Sequence, residues 1–371
     1  MSLQKNAGAV RRFDKLAKLG AWLQNVPNKL VPPPFRLIQI GAAYWQSRAL
    51  YVAARLDIAT VLADGELSAE ELAARVQAQP DGIYRLLRML AAIGVFEEAA
   101  PHRFRNNKLS HCLREGHPQS VRAMILMHNS PEISRPWYET LEQGVRSGDV
   151  PFSLTHGQEL YAYMDGNPEF DSLFARAMDS VEALTGDSFA TDFDWSRFER
   201  IIDVGGSKGS KSLTILKRHP HLKALVADRE QVIRGAVQFW KEKGEGEVVQ
   251  RMSYESCDLL QSAPKAQSDK DIYFLSAVLH GFDNDTCITA LRNVASAAAG
   301  TGASIAVMEM VMPDSHADTG TASFDMQMFV NTRGRERALR EWQRVFERSG
   351  LQLQEVVRLQ TFGKILVLRA K

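Results

Sequence analysis

Apolar positions divide the chain into two textures. Over "RRFDKLAKLGAWLQNVPNKLVPPPF", Leu16, Leu19, Leu23 and Val26 recur at helical spacing ahead of Pro32, Pro33 and Pro34. Residues 1–34 therefore read as an amphipathic helix and a stiff proline linker. From Phe35 to about Trp195 the apolar period stays helical and strand signals are few. Within that stretch Ser68 and Glu71 predict a capping box, Pro80 opens a second helix, and Gly94 ends it. "VFEE" and "HRFRN" then predict a pair of short strands, and the whole is a winged helix-turn-helix pattern. After Trp195 the texture changes. "RIIDVGG", "LKALVAD", "EVVQRMS", "DIYFLSAVL" and "ASIAVMEMV" read as strands with helical spacers, and "LQLQEVVRL" and "KILVLRA" close the chain. Such alternation predicts βαβ units and a mostly parallel sheet over residues 196–371. Only "QTFG" separates the last two runs, too little for a crossover, so they should pair as an antiparallel hairpin.

Composition narrows the class. A chain of 371 residues is long enough for two cores. A formal net charge of +1 argues against a dedicated nucleic-acid binder. No apolar run reaches the roughly 18 residues of a membrane span, and Asp14, Lys15 and Lys18 break up any secretory apolar core after Arg11 and Arg12. Cys112, Cys257 and Cys287 are far apart, odd in number and without metal-ligand spacing, which suits reduced thiols in a cytoplasmic protein with no metal site. A DNA-binding regulator is the rival that the winged helix raises. Its recognition helix would be "PDGIYRLLRMLAAIG", which offers Arg85 and Arg88 but is mostly apolar, whereas phosphate contacts need a dense basic face.

Chemistry concentrates in "IIDVGGSKGSKS". A buried strand ending at Asp203 runs into a glycine turn that opens a helix, the place where open α/β sheets hold ligands. Asp228 ends the next strand, where a carboxylate accepts hydrogen bonds from a ribose diol. A phosphate loop is excluded. It needs four residues between its glycines and a lysine directly after the second, whereas Ser210 separates Gly209 from Lys211.

Taken together, "DVGGSKG", "ADREQVI", "SCDLL", "SAVLHGFDNDTC", "VMEMVMP" and "NTRGRER" resemble, in order and spacing, the small-molecule O-methyltransferases that use S-adenosylmethionine, including the plant caffeate and bacterial polyketide types. The resemblance runs from about Phe35 to the C-terminus. It implies an α/β Rossmann-like methyltransferase domain, residues 196–371, preceded by a mainly α-helical winged-helix dimerisation domain, residues 35–195, and hence a homodimer. By the same resemblance Asp203, Gly205, Ser207, Gly209, Asp228, Arg229, Asp258, Leu259 and Ser276 are the cofactor residues. His280 matches the general base, with Glu309 and Glu336 as the acids that orient it. Met127, His128, Phe174, Met178, Met328 and Asn331 fall on the family's substrate-facing positions. Departures are local: Ser207 stands where the family has a third glycine, Lys208 follows it, and Gly281 and Phe282 replace an Asp-Trp pair.

These residue types suit the transfer. Methyl displacement from a sulfonium needs orientation and, for a hydroxyl acceptor, removal of a proton. A histidine can take that proton near neutral pH, and a carboxylate on its other nitrogen fixes the tautomer. The function read here is therefore methylation of a small molecule, at oxygen. Methylation of nitrogen or sulfur, as in relatives that act on methylthio-hydroxybutyrate, is the alternative; so is a cofactor-binding member that works as a hydroxylase or pericyclase.

Overall fold

Residues 2–371 are described by a computed structural model. The chain forms two compact units, Met1–Ala21 with Asp187–Lys371, and Trp22–Gly186.

The helical unit has the capping box that Ser68 and Glu71 predict, with Ser68 Oγ accepting from the Glu71 N–H at 3.1 Å and Glu71 Oε2 accepting from the Ser68 N–H at 2.6 Å. Pro80 starts the next helix, Pro80–Ala92, and Gly94 leaves it at φ +79. Three short strands, β1 (Glu66–Ser68), β2 (Phe96–Ala100) and β3 (Arg103–Asn106), form an antiparallel sheet in the order β1-β3-β2. Ile58, Leu72, Ile83, Leu87, Leu90, Phe96 and Phe104 make their common core. A second core, with Met127, Ile133, Phe152, Leu160 and Phe170, joins several later helices of this unit. Pro33 and Pro34 do not form a linker. They are the first turn of a helix, Pro33–Arg55, where a missing N–H and a fixed φ cost nothing.

The second unit is built on an eight-stranded sheet: β4 (Arg200–Val204), β5 (Lys223–Asp228), β6 (Met252–Ser256), β7 (Asp271–Ser276), β8 (Ser304–Met312), β9 (Arg337–Ala338), β10 (Leu351–Arg358) and β11 (Gly363–Ala370). Its order is β10-β11-β8-β7-β4-β5-β6, with β9 beside β8. The pairs from β6 to β8 are parallel, and β10 and β11 close the edge as the expected antiparallel hairpin. One strand starts later than expected. Gly246–Val249 is a helical turn that buries Val249, and β6 begins only at Met252. A short apolar run is buried as well by a turn as by a strand, so its period does not distinguish them.

The unit boundary also differs from residue 195. The helix Pro168–Thr185 ends at Gly186, and Phe189, Phe193 and Trp195 already belong to the sheet's core, with Trp195 edge-on to Phe274 at 5.5 Å. The first residues join this core too. Leu3 is buried in it, and Gln4 clamps the Arg358 backbone, accepting its N–H at 2.8 Å and donating to its carbonyl at 2.9 Å.

Candidate active site

Because β5 and β6 lie on one side of β4, and β7 and β8 on the other, the strand order reverses at β4 and β7. A ligand crevice forms at such a point, outside the strands' carboxyl ends. The glycine loop leaves β4 there, the segment from Ser276 to His280 leaves β7, and Asp228 ends β5. The loop glycines answer to the protein's own packing. A β-carbon on Gly205 would stand 2.6 Å from Val278 Cγ2, one on Gly206 2.5 Å from Asp203 Cγ, and one on Gly209 2.6 Å from Met252 Cε. Ser207 adopts φ +53, the left-handed region natural to the glycine it replaces.

Asp228 is held by the loop. Its Oδ2 accepts from the Ser207 N–H at 2.8 Å, and its Oδ1 from the Arg229 N–H at 2.7 Å. Each oxygen retains a lone pair for a hydroxyl. Asp203 is buried and accepts from Ser212 Oγ at 2.6 Å, so it supports the turn from below. The Arg229 side chain is exposed. Asp258 accepts from the Leu260 N–H at 3.0 Å and Gln261 Nε2 at 2.8 Å, next to a half-buried Leu259. Ser276 Oγ is buried with no hydrogen-bond partner among the described residues.

His280 sits in a 3-10 turn, Leu279–Gly281, directly over two buried acids. Its Nδ1 lies 2.7 Å from Glu336 Oε1 and 3.8 Å from Glu309 Oε2. Glu309 comes from β8, and Glu336 immediately precedes β9; the parallel pairing of Val311 with Arg337 sets the two acids side by side. Glu309 Oε1 accepts from three successive backbone N–H groups, those of Val278 at 3.1 Å, Leu279 at 2.9 Å and His280 at 3.3 Å. Desolvation alone would lower the His280 pKa, but the charges of Glu309 and Glu336 and the hydrogen bond to Glu336 outweigh it and raise it to about 9. Burial pushes the Glu309 carboxyl up. At neutral pH this cluster holds a proton. Its ligating atoms lie within 4.8 Å of one another, a spacing that also suits a metal ion.

Two family models match the chain: an O-methyltransferase domain over residues 137–352 and an O-methyltransferase dimerisation domain over residues 38–116. The chain belongs to the O-methyltransferase family. It is similar to a phenazine O-methyltransferase, PhzM, of Lysobacter antibioticus, with 31% identity over 88% of this chain and 93% of that one. It is also similar to the phenazine-1-carboxylate N-methyltransferase of Pseudomonas aeruginosa, with 30% identity over 89% of this chain and 96% of the other. Among solved structures, an O-methyltransferase from neocarzinostatin biosynthesis in complex with S-adenosylmethionine and 2-hydroxy-5-methyl naphthoic acid superposes with a TM-score of 0.74 at 25% identity, covering 88% of this chain and 96% of that one. The protein is an S-adenosylmethionine-dependent small-molecule methyltransferase. The Asp228 carboxylate and the unpartnered Ser276 hydroxyl fit that cofactor, which carries a ribose diol and several polar groups.

Within the methyltransferase's sheet unit, Met328 and Asn331 share a helix, Thr319–Asn331, with Phe324, whose ring lies 5.9 Å from His280. Asn331 is buried, with Oδ1 unpartnered among the described residues. In the helical unit Met127 is buried, His128 is exposed beside it, and Phe174 and Met178 lie on the helix Pro168–Thr185, which packs on theirs.

Several residues that hold His280 were not singled out from the sequence. Arg337 is fully buried; its guanidinium donates to Asn284 Oδ1 at 2.9 Å, the Leu279 carbonyl at 3.2 Å and the Phe282 carbonyl at 2.7 Å, gripping both sides of the His280 turn. Gly334 lies against the same turn, where a β-carbon would collide with the His280 carbonyl oxygen. Asp325 accepts the Glu336 N–H at 2.8 Å. The signal in the sequence was the "RGRER" run, whose third arginine is Arg337.

Proposed function

We propose that this methyltransferase methylates a hydroxyl group of a small, aromatic or polyketide-like molecule, with His280 as general base. The observation that carries this reading is the 2.7 Å contact of His280 Nδ1 with the buried Glu336. It occupies one ring nitrogen and leaves Nε2 to take the acceptor's proton. When bound, S-adenosylmethionine supplies an electrophilic methyl group and departs as the thioether. Glu336 stabilises the imidazolium as it forms, and Glu309 fixes the turn through its three N–H contacts. His280 serves as a base only when neutral, so the raised pKa places its working range towards higher pH.

The cofactor belongs at Gly205, Ser207 and Gly209, with Asp228 on the ribose, Asp258 and Leu259 at the adenine, and Ser276 towards the reacting end. Asp203 contributes by holding the loop. Met328 and Asn331 form the acceptor side next to His280, and the family resemblance assigns Met127, His128, Phe174 and Met178 to the same task. A homodimer formed through the helical unit is supported by the dimerisation-domain match and by exposed Phe35, Leu37, Ile38, Ile40 and Trp45 on one helix. Arg85 pairs with Asp81 at 2.8 Å and Arg88 lies over the Tyr84 ring, so each arginine is engaged within its own helix, which supports a winged helix without a nucleic-acid task. Among the described residues no helix is long and apolar enough to cross a membrane. A cytoplasmic setting suits the three unpaired cysteines.

Labelled S-adenosylmethionine with a panel of phenolic acceptors tests the reading. His280→Ala should lower turnover at least about a hundredfold, within the range of general-base catalysis, while cofactor affinity stays near that of the parent. Near-parental turnover on a hydroxyl acceptor would remove His280 from the base role.

A further inference from the structure

Lys208 is the residue of the glycine loop that cofactor binding leaves without a task, and it brings a positive charge to a site for a positively charged cofactor. The structure gives its carbonyl and its ammonium separate partners. Its carbonyl accepts from Trp240 Nε1 at 2.6 Å and from the Tyr254 hydroxyl at 3.1 Å. Its Nζ sits 4.2 Å from the centroid of the Phe239 ring, which Lys243 Nζ approaches less closely, at 5.6 Å, and which Trp240 meets edge-on at 4.8 Å. Phe239 and Trp240 are neighbours on the helix Ala236–Glu242, and Tyr254 lies on β6. On one flank the Ser207 N–H is bonded to Asp228, and on the other Gly209 is pressed against Met252 and Val226. Backbone and ammonium are thus fixed by different groups: two donors hold the carbonyl and one aromatic face holds the charge.

We infer that Phe239 sequesters the Lys208 ammonium and so determines how the enzyme discriminates between its cofactor and its product, while Trp240 and Tyr254 are positioning residues for the loop. This rests on the assignment of the loop to the cofactor. The physical argument is a difference of one charge. S-adenosylmethionine and S-adenosylhomocysteine share adenine, ribose, amino and carboxylate groups, and only the former carries a sulfonium. An ammonium released from its ring and free to move within a Debye length, about 10 Å at 0.1 M salt, opposes the sulfonium compound selectively. A cation held on an aromatic face does so less, because the ring quadrupole both restrains and partly offsets it.

Calorimetric titration of both ligands at low salt separates the contributions. In Phe239→Leu the ratio of the S-adenosylmethionine Kd to the S-adenosylhomocysteine Kd should rise roughly two- to fivefold, the range expected for one unscreened unit charge facing the sulfonium at about 8–10 Å. Phe239→Tyr should keep the parental ratio, and Phe239→Leu combined with Lys208→Met should restore it. Tyr254→Phe keeps the ring, removes one donor, and should weaken both ligands by about the same factor. Equal weakening of the two ligands in Phe239→Leu, or a raised ratio that Lys208→Met does not restore, would overturn the inference. Asp228→Ala serves as the control for the reading beneath it. If that variant binds both ligands like the parent, the cofactor assignment itself fails. If it loses both while Phe239→Leu leaves the ratio unchanged, only the role of Phe239 fails.

Discussion

Gly205 and Val278 lie so close that a β-carbon on the glycine would stand 2.6 Å from Cγ2 of the valine. The contact joins the glycine loop after β4 to the segment that carries His280 after β7. Gly205 also sits at φ +74, where a side chain costs about 1–2 kcal/mol. Gly205→Ala should therefore disturb both halves of the reaction, lowering cofactor affinity and turnover together. Adding Val278→Ala removes the clash but not the backbone cost, so it should recover part of both. Calorimetry and single-turnover rates on the two variants check this, and parental values in Gly205→Ala would show that the loops move independently.

Asp228 offers two carboxylate oxygens already oriented by the N–H groups of Ser207 and Arg229. A charge-assisted hydrogen bond is worth about 1.5–3 kcal/mol. Asp228→Ala should weaken S-adenosylmethionine by roughly ten- to a hundredfold, measured by calorimetry, with turnover at saturating cofactor changed far less.

Protonation of the His280 cluster sets two pH dependences. The histidine pKa stands above its ordinary 6.5, at about 9, because Glu309 and Glu336 outweigh desolvation. The stability this adds is complete below about pH 6.5 and is lost as pH rises through about 9. Catalysis runs the other way, since the base must be neutral: turnover should climb with pH towards about 9. Glu336→Gln removes a charge and a charge-assisted bond that favour the imidazolium, so its rate limb should move to lower pH. An unmoved limb in the pH–rate profile of that variant would mean that some other group is titrating.

The same cluster has a spacing that suits a metal ion. If its occupant is a proton, dialysis against a chelator should leave turnover unchanged, and added zinc or magnesium should not raise it. A loss on chelation restored by one of these ions would reassign His280, Glu309 and Glu336 as ligands.

Phe35, Leu37, Ile38, Ile40 and Trp45 are exposed along one helix of the helical unit. Light scattering at micromolar concentration should give a dimer. Replacing Ile38 and Trp45 together by glutamate should shift it to the monomer, because a charge in an apolar interface is left without a partner. A parental mass of one chain would contradict the interface.

Local signals were enough for much of this molecule. The capping box at Ser68, the helix start at Pro80, the β2–β3 pair and the β10–β11 hairpin follow from side-chain hydrogen bonding, a missing N–H and loop length, all of which act over a few residues. The carboxylate of Asp228 at a strand end was legible for the same reason. Three things needed the folded chain. Residues 2–6 add to the sheet unit because Gln4 and Leu3 find Arg358 and a distant core, and no local pattern reports such a partner. Glycines 205, 206 and 209 are also required by Val278, Asp203 and Met252, close packing that their spacing in the sequence does not report. Above all, the pKa of His280 depends on two acids, one on β8 and one just before β9. The sequence determined which histidine is the candidate base; only the tertiary structure decided how strongly it holds its proton, because electrostatic energy depends on distance and burial rather than on position along the chain.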